Sequence, residues 1–167
     1  MTQDFARDSA RLEGVLADRD AWTASRCTIA KAIDVVGTKS ALLLMREAFY
    51  GTRRFDAFAR RVGITEAAAA ARLKELVEVG LLERQPYQEP GQRTRDEYVI
   101  TQMGRDLLPA ALALMQWGDR YLTGKRGAPL ALTHTECGAR THVEVRCDNG
   151  HEVPLNQLSI NVASAVS

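Results

Sequence analysis

From Phe5 to Val79 the apolar residues recur at three- and four-residue intervals, the period of one helical face, and Gly, Ser and Thr punctuate the run. Phe5, Leu12, Val15 and Leu16 among charges predict an exposed amphipathic helix over residues 4–19. Ser25 is placed to cap a second helix through Ile29, Ala32, Ile33 and Val36, with Gly37 as its C-cap. Thr38 or Ser40 opens a third, strongly apolar helix, ALLLMREAFY, which Gly51 stops. A short helix from Phe55 to Val62 ends at Gly63, and Thr65 caps an alanine-rich helix that runs to Val79 with Gly80 beyond it.

The period then changes. Leu81 to Arg84 and Glu97 to Thr101 read as strands flanking Pro86, Pro90 and Gly91, a hairpin with a long tip. Leu107, Leu108, Ala111, Leu114, Met115 and Tyr121 restore a helical stripe from Met103 to about Leu122, with Pro109 marking a kink or a new start. GKRGAP at residues 124–129 is a linker-like break, and the tail alternates as THVEVRC, the turn DNG, and HEVPL. No internal repeat is present. Helix, helix, short helix, turn, helix and hairpin is the order of a winged helix-turn-helix. The fold class expected is mainly α with small β (α+β), in three segments: residues 1–24, 25–123 and 124–167.

Charge changes this picture only locally. Lys and Arg number 22 against 21 Asp and Glu, so no global basicity announces nucleic acid and any such signal must be clustered. Arg53, Arg54, Arg60 and Arg61 surround the short helix, opposed in that stretch by Asp56 alone. Arg72 and Lys74 follow on the next helix, and Arg93 and Arg95 lie in the hairpin. These cations stand where phosphates pass beneath a winged helix, and such contacts dominate affinity and make it salt-dependent.

The helix in the reading position, ITEAAAAARLKEL, lacks the side chains that read bases. Its spacing turns Ile64, Ala68 or Ala69, Leu73 and Leu76 inward and leaves Ala67, Ala70 and Ala71 toward the groove with Glu66 and Arg72. An alanine makes no bidentate bond to a base, though it touches a thymine methyl and admits the backbone closely. Arg72 suits guanine, Thr65 can bond a phosphate, and Glu66 favours the helix N-terminus or accepts from a cytosine amino group. Specificity is then expected to rest on few base contacts, on the wing arginines and on DNA shape.

The residues also carry a resemblance. GTRRF at 51–55, RLKEL at 72–76, GLLER at 80–84, YVIT at 98–101 and the following Gly104-Arg105 occur in order, with Trp117-Gly118 beyond. Over about residues 26 to 122 the chain resembles the HxlR family of winged-helix transcriptional regulators. The resemblance implies a homodimeric DNA-binding regulator, a repressor at a pseudo-palindromic operator on double-stranded DNA, with both recognition helices in successive major grooves. The helix of residues 1–24 and the last helix of 25–123 are expected to dimerise, and the alternating tail, 124–167, is expected to form a C-terminal β-hairpin extension. Three departures stand out. Thr38-Lys39-Ser40 replaces the family's D-R-W, Thr28 replaces the Pro after Cys27, and alanines fill the start of the recognition helix.

Three cysteines, no secretory signal and a longest apolar run of only Ala41 to Met45 point to reduced thiols in a cytoplasm, with no membrane span. Cys27, expected in the first turn after Ser25 between Arg26 and Lys31, stands where a helix N-terminus and cations favour the thiolate. In several members of the resembled family the corresponding cysteine senses oxidants; burial as a small apolar residue is the plainer alternative. In the tail, His134-x2-Cys137 and Cys147-x3-His151 have the ligand types of a tetrahedral zinc site. A metal-free hairpin and a Cys137–Cys147 disulfide are the alternatives, and no cofactor is required by the regulator reading. Trp22, Trp117 and Tyr121 are candidates for an aromatic effector pocket, although core or dimer packing explains them more simply. Paired carboxylates, a nucleophile triad and a phosphate-cradling loop are absent, since Gly51-Thr52-Arg53 and Gly91-Gln92 are isolated. Catalysis is therefore not expected, and the alternative to a DNA regulator is a protein that binds another regulator with little DNA contact.

Overall fold

The computed structural model describes residues 9–20 and 27–162. These divide into two compact units: residues 28–143, and a second that joins the described residues up to Cys27 to those from Glu144 onward.

The first unit begins with α1 (Thr28–Val36) and α2 (Lys39–Phe49). Thr38 caps α2, its hydroxyl accepting from the Ala41 N–H at 3.2 Å. This satisfies one of the donors that every helix start leaves open. Ala41, Leu44, Met45 and Ala48, at helical spacing, are the buried face of α2. Next come α3 (Phe55–Val62) and α4 (Glu66–Glu78), joined by a turn in which Gly63 sits at φ 72°, a left-handed position that a side chain would strain. Thr65 caps α4 by accepting from Ala68 N–H at 3.2 Å. Ala69, Leu73 and Leu76 are its buried stripe, so the choice between Ala68 and Ala69 falls to Ala69.

The wing is an antiparallel pair, β2 (Leu82–Tyr87) and β3 (Arg95–Ile100), registered from Leu82 against Ile100 to Tyr87 against Arg95. It extends further toward its tip than the sequence pattern suggested, and Pro86 is tolerated inside β2. The core draws on every element of the motif: Leu44 and Met45 from α2, Phe58 from α3, Leu73 and Leu76 from α4, Leu82 and Tyr98 from the wing. Phe58 meets Tyr98 edge-on, with ring centroids 6.0 Å apart. Beyond the wing, α5 (Gln102–Asp106) and α6 (Leu108–Tyr121) are separate helices, with Pro109 in the first turn of α6. Of the two outcomes left open by Pro109, the structure takes the new start, because the ring fits only where no intrahelical N–H is needed.

Two expectations are corrected. No continuous helix covers residues 4–19: Arg11–Leu12 form β1, paired in parallel with β4 (Ser159–Ile160) within the second unit, and residues 14–17 make a 3-10 turn. Glu13 is extended and Gly14 sits at φ 58°, which ends any α-helix there. Phe5 lies outside the described residues. The tail is also less regular than a hairpin extension. The turn forms, with Cys147 N–H donating to His151 O at 3.0 Å and Val153 N–H to Val145 O at 2.9 Å, but strand pairing there stops at the single bridge Arg146–Glu152. Val145 is 61% and Leu155 60% exposed, so the apolar side chains of this arm lack a layer to pack against that would stabilise a longer ladder. A second lone bridge joins Thr133 to Arg140 in the first unit. The expected boundaries at residues 24 and 124 thus differ from the division found at residues 28 and 143.

Candidate nucleic-acid interface

On α4, Ala67, Ala70 and Ala71 are all exposed, opposite the buried Ala69 and Leu73. The outward face is therefore bare over two turns. Glu66 lies in the first turn, where a carboxylate complements the helix dipole, and Thr65 spends its hydroxyl oxygen on the cap. Arg72 is not extended into solvent. It is paired with Glu75 one turn along, and its side chain is 27% exposed. Lys74 makes the equivalent pair with Glu78 at 3.6 Å, but its side chain is 68% exposed.

The arginines before α4 fall into two groups. Arg60 sits on the α3 surface, paired to Asp56 at 3.3 Å across one turn. Such exposed pairs are worth about 0.3–0.5 kcal/mol, so a phosphate displaces the carboxylate easily. Arg61 instead donates to Thr52 Oγ1 at 2.5 Å. Thr52 is buried and donates in turn to Glu47 Oε2 at 3.2 Å, a carboxylate on α2 that is itself buried and bonded to Arg46 at 2.8 Å. Arg61 is thereby positioned from inside the domain.

Arg53 and Arg54 are tied to the wing. Tyr98 N–H donates to Arg53 O at 2.9 Å, which makes the segment before α3 a third edge of the wing. Arg53 Nη1 lies 3.2 Å from Glu97, a carboxylate whose side chain is only 14% exposed. Arg54 lies 3.9 Å from the same carboxylate and 3.6 Å from Glu89 near the wing tip. Its guanidinium also stacks on Tyr87, with Cζ 3.0 Å from the ring centre. Cation–π contacts contribute about 0.5–2 kcal/mol depending on desolvation. Arg54 therefore acts as a pin between the start of α3 and the wing. Arg93 and Arg95 are exposed and have no ion pair among the described residues.

The sequence reading missed Tyr87, Glu89, Glu97 and the Glu47–Thr52 pair. Their contacts with the arginines mostly cross between elements, and no local spacing rule reveals them. The remaining candidates are more scattered. Cys27 is half-buried immediately before α1 rather than in its first turn, and Ser25 and Arg26 lie outside the described residues. His134 Nδ1 is 3.2 Å from Cys137 Sγ in the first unit, while Cys147 and His151 form their own turn in the second. Among the described residues no group of three or more His, Cys, Asp or Glu is placed to hold a metal ion. Trp117 and Tyr121 lie 5.8 Å apart beside a hollow of about 230 Å³; Trp22 lies outside the described residues.

The HxlR-like helix-turn-helix family model matches residues 35–126. The chain belongs to the HxlR family. The matched stretch holds the whole motif, from the end of α1 to beyond α6. The chain is 42% identical over 133 residues to the uncharacterized HTH-type transcriptional regulator Rv3095 of Mycobacterium tuberculosis, covering 79% of this chain and 83% of that one. The crystal structure of PA1607, a putative transcription factor, is 29% identical with a TM-score of 0.74, covering 83% of this chain and 96% of the other. The redox regulator HypR in its reduced form is 30% identical with a TM-score of 0.51 over 56% of this chain and 91% of its own. This member of the HxlR family is thus an HTH-type transcriptional regulator with a winged-helix fold, not an enzyme. No helix among the described residues is long and apolar enough to cross a membrane.

Proposed function

We propose that the protein is a homodimeric repressor that grips a pseudo-palindromic operator through the arginines of α3 and the wing, while α4 supplies shape and little base reading. The observation that carries this is the contrast in side chains: Ala67, Ala70 and Ala71 outward on α4, against Arg60, Arg61, Arg93 and Arg95 around it. Two-fold pairing is supported by apolar side chains left uncovered on α1 and α6. Ile33 is 58% and Trp117 56% exposed, more apolar surface than a solitary domain leaves without reason. The working compartment is the cytoplasm, in keeping with free cysteines and a DNA target.

A specific observation favours a second reading. Ala67, Ala70 and Ala71 leave the outward face of α4 without base-reading side chains, so the protein can instead bind another regulator and barely contact DNA. Genome-wide footprinting with purified protein decides between them, repeated with a thiol oxidant and with a chelator. Discrete footprints that weaken steeply with salt support the repressor reading. An absence of footprints under every condition contradicts it. The oxidant arm, repeated with Cys27→Ser, tests the thiol reading that the HypR likeness supports. The chelator arm tests zinc in the tail.

A further inference from the structure

Glu47 and Thr52 are the two buried polar or charged residues among those described, 6% and 4% exposed. Burying a carboxylate is costly unless its oxygens are bonded, and apolar residues of the same shape serve a core at least as well. Both oxygens of Glu47 are bonded: Oε1 accepts from Arg46 Nη2 at 2.8 Å, and Oε2 accepts from the Thr52 hydroxyl at 3.2 Å. Thr52 is held a second time through its backbone, whose N–H donates to Glu47 O at 2.9 Å. A valine fills the same space as Thr52 with no polar atom to satisfy, so the hydroxyl has its use outside the core.

That use lies at Arg61. A hydroxyl has one proton, and Thr52 commits it to the carboxylate, which leaves Oγ1 as an acceptor. Arg61 Nη1 donates to it at 2.5 Å, although Arg61 is itself exposed near the end of α3. The guanidinium is planar and has five N–H donors, so one fixed corner restrains the plane and leaves donors for a phosphate. Arg60, one residue earlier, is the contrast. Its partner Asp56 lies on the same helix with a side chain 70% exposed, and no buried group fixes that pair.

We propose that Glu47 and Thr52 are positioning residues for a phosphate contact. The carboxylate orients the hydroxyl, the hydroxyl holds Arg61, and Arg61 meets the DNA backbone already ordered. Side-chain freedom that binding would otherwise remove is removed on folding instead. The inference rests on the DNA-binding reading and divides the labour of α3 between a preset contact, Arg61, and an adaptable one, Arg60.

The test is the affinity of the full chain for a mixed-sequence duplex at several salt concentrations. Phosphate contacts carry no sequence information, and about three helical turns accommodate two half-sites. Thr52→Val keeps the shape and deletes the hydroxyl. It should lower affinity about three- to tenfold per subunit with the salt slope unchanged, because the contact survives but is no longer ordered in advance. Thr52→Ser keeps the hydroxyl and should bind like the natural chain. Arg61→Ala should lower the slope of log affinity against log salt by about 0.9 per subunit. In that background Thr52→Val should have no further effect, which a general loosening of the fold would not reproduce. If Thr52→Val fails to fold, Thr52→Ala deletes the same hydroxyl and enters the same cycle. The inference is overturned if loss of the hydroxyl leaves affinity unchanged, if it costs as much without Arg61 as with it, or if Arg61→Ala keeps the full slope. A natural chain with no salt-dependent binding overturns the DNA-binding reading and this inference with it, a result distinct from binding without coupling.

Discussion

Helix α4 turns Ala67, Ala70 and Ala71 outward, whereas the neighbouring wing carries Arg93 and Arg95 beyond an Arg54–Tyr87–Glu97 clamp. Both belong to one motif and share one core, yet they are specified by different physics. The α4 backbone is held by helix propensity, a threonine cap and a buried Leu73–Leu76 stripe, so its outer face is free to be anything. The base of the wing is buried through Leu82 and Tyr98, whereas cross-element ion pairs and ring stacking hold its outer part to the start of α3. Rigidity without reading groups on one element, and charge with an adjustable anchor on the other, point to recognition by position and shape.

The comparison breaks most visibly from inside α4. Leu73→Ala should cost about 2–5 kcal/mol, read from the denaturant midpoint, because its side chain is fully buried. Ala70→Ser on the opposite face should shift stability by less than about 0.5 kcal/mol. On the reading side, Arg72→Ala should remove about 1–3 kcal/mol of discrimination at a single base pair if Arg72 reads guanine, measured by competition with operator variants. A flat specificity profile in both proteins would leave α4 with no reading role. Thr65→Ala deletes the cap and should destabilise by about 1 kcal/mol, again by denaturation. The smallest effect is the sharpest on the wing. Tyr87→Ala and Arg54→Ala should show a coupling of about 0.5–1 kcal/mol in a double-mutant cycle on operator binding, as expected of a stacked pair acting as one anchor.

Much of the motif was readable because its signals are local. Gly63, Thr38, Thr65 and Pro109 each act within one turn, and the boundaries of α2 to α4 follow from them. The N-terminal segment was misread for the opposite reason. Leu12, Val15 and Leu16 have helical spacing, but Gly14 and a pairing with residues near the far end of the chain override it. The same holds at the candidate interface. Positions of the arginines were legible, but their counter-charges were not: Glu97 meets Arg53 across 44 residues of sequence. Arg54 consequently reads as a phosphate contact in the sequence and as a structural pin in the fold.

The central claim is that the arginines around α4, not its outer face, supply the grip. The direct measurement is the salt dependence of operator affinity for the natural chain, Arg93→Gln/Arg95→Gln, and Arg72→Ala. Each lost phosphate contact lowers the slope of log affinity against log salt by about 0.9, so the wing pair should lower it by about 1.8 per subunit. Arg72→Ala should leave the slope nearly unchanged. A wing variant that keeps the full slope, or an Arg72→Ala variant that loses it, contradicts the account.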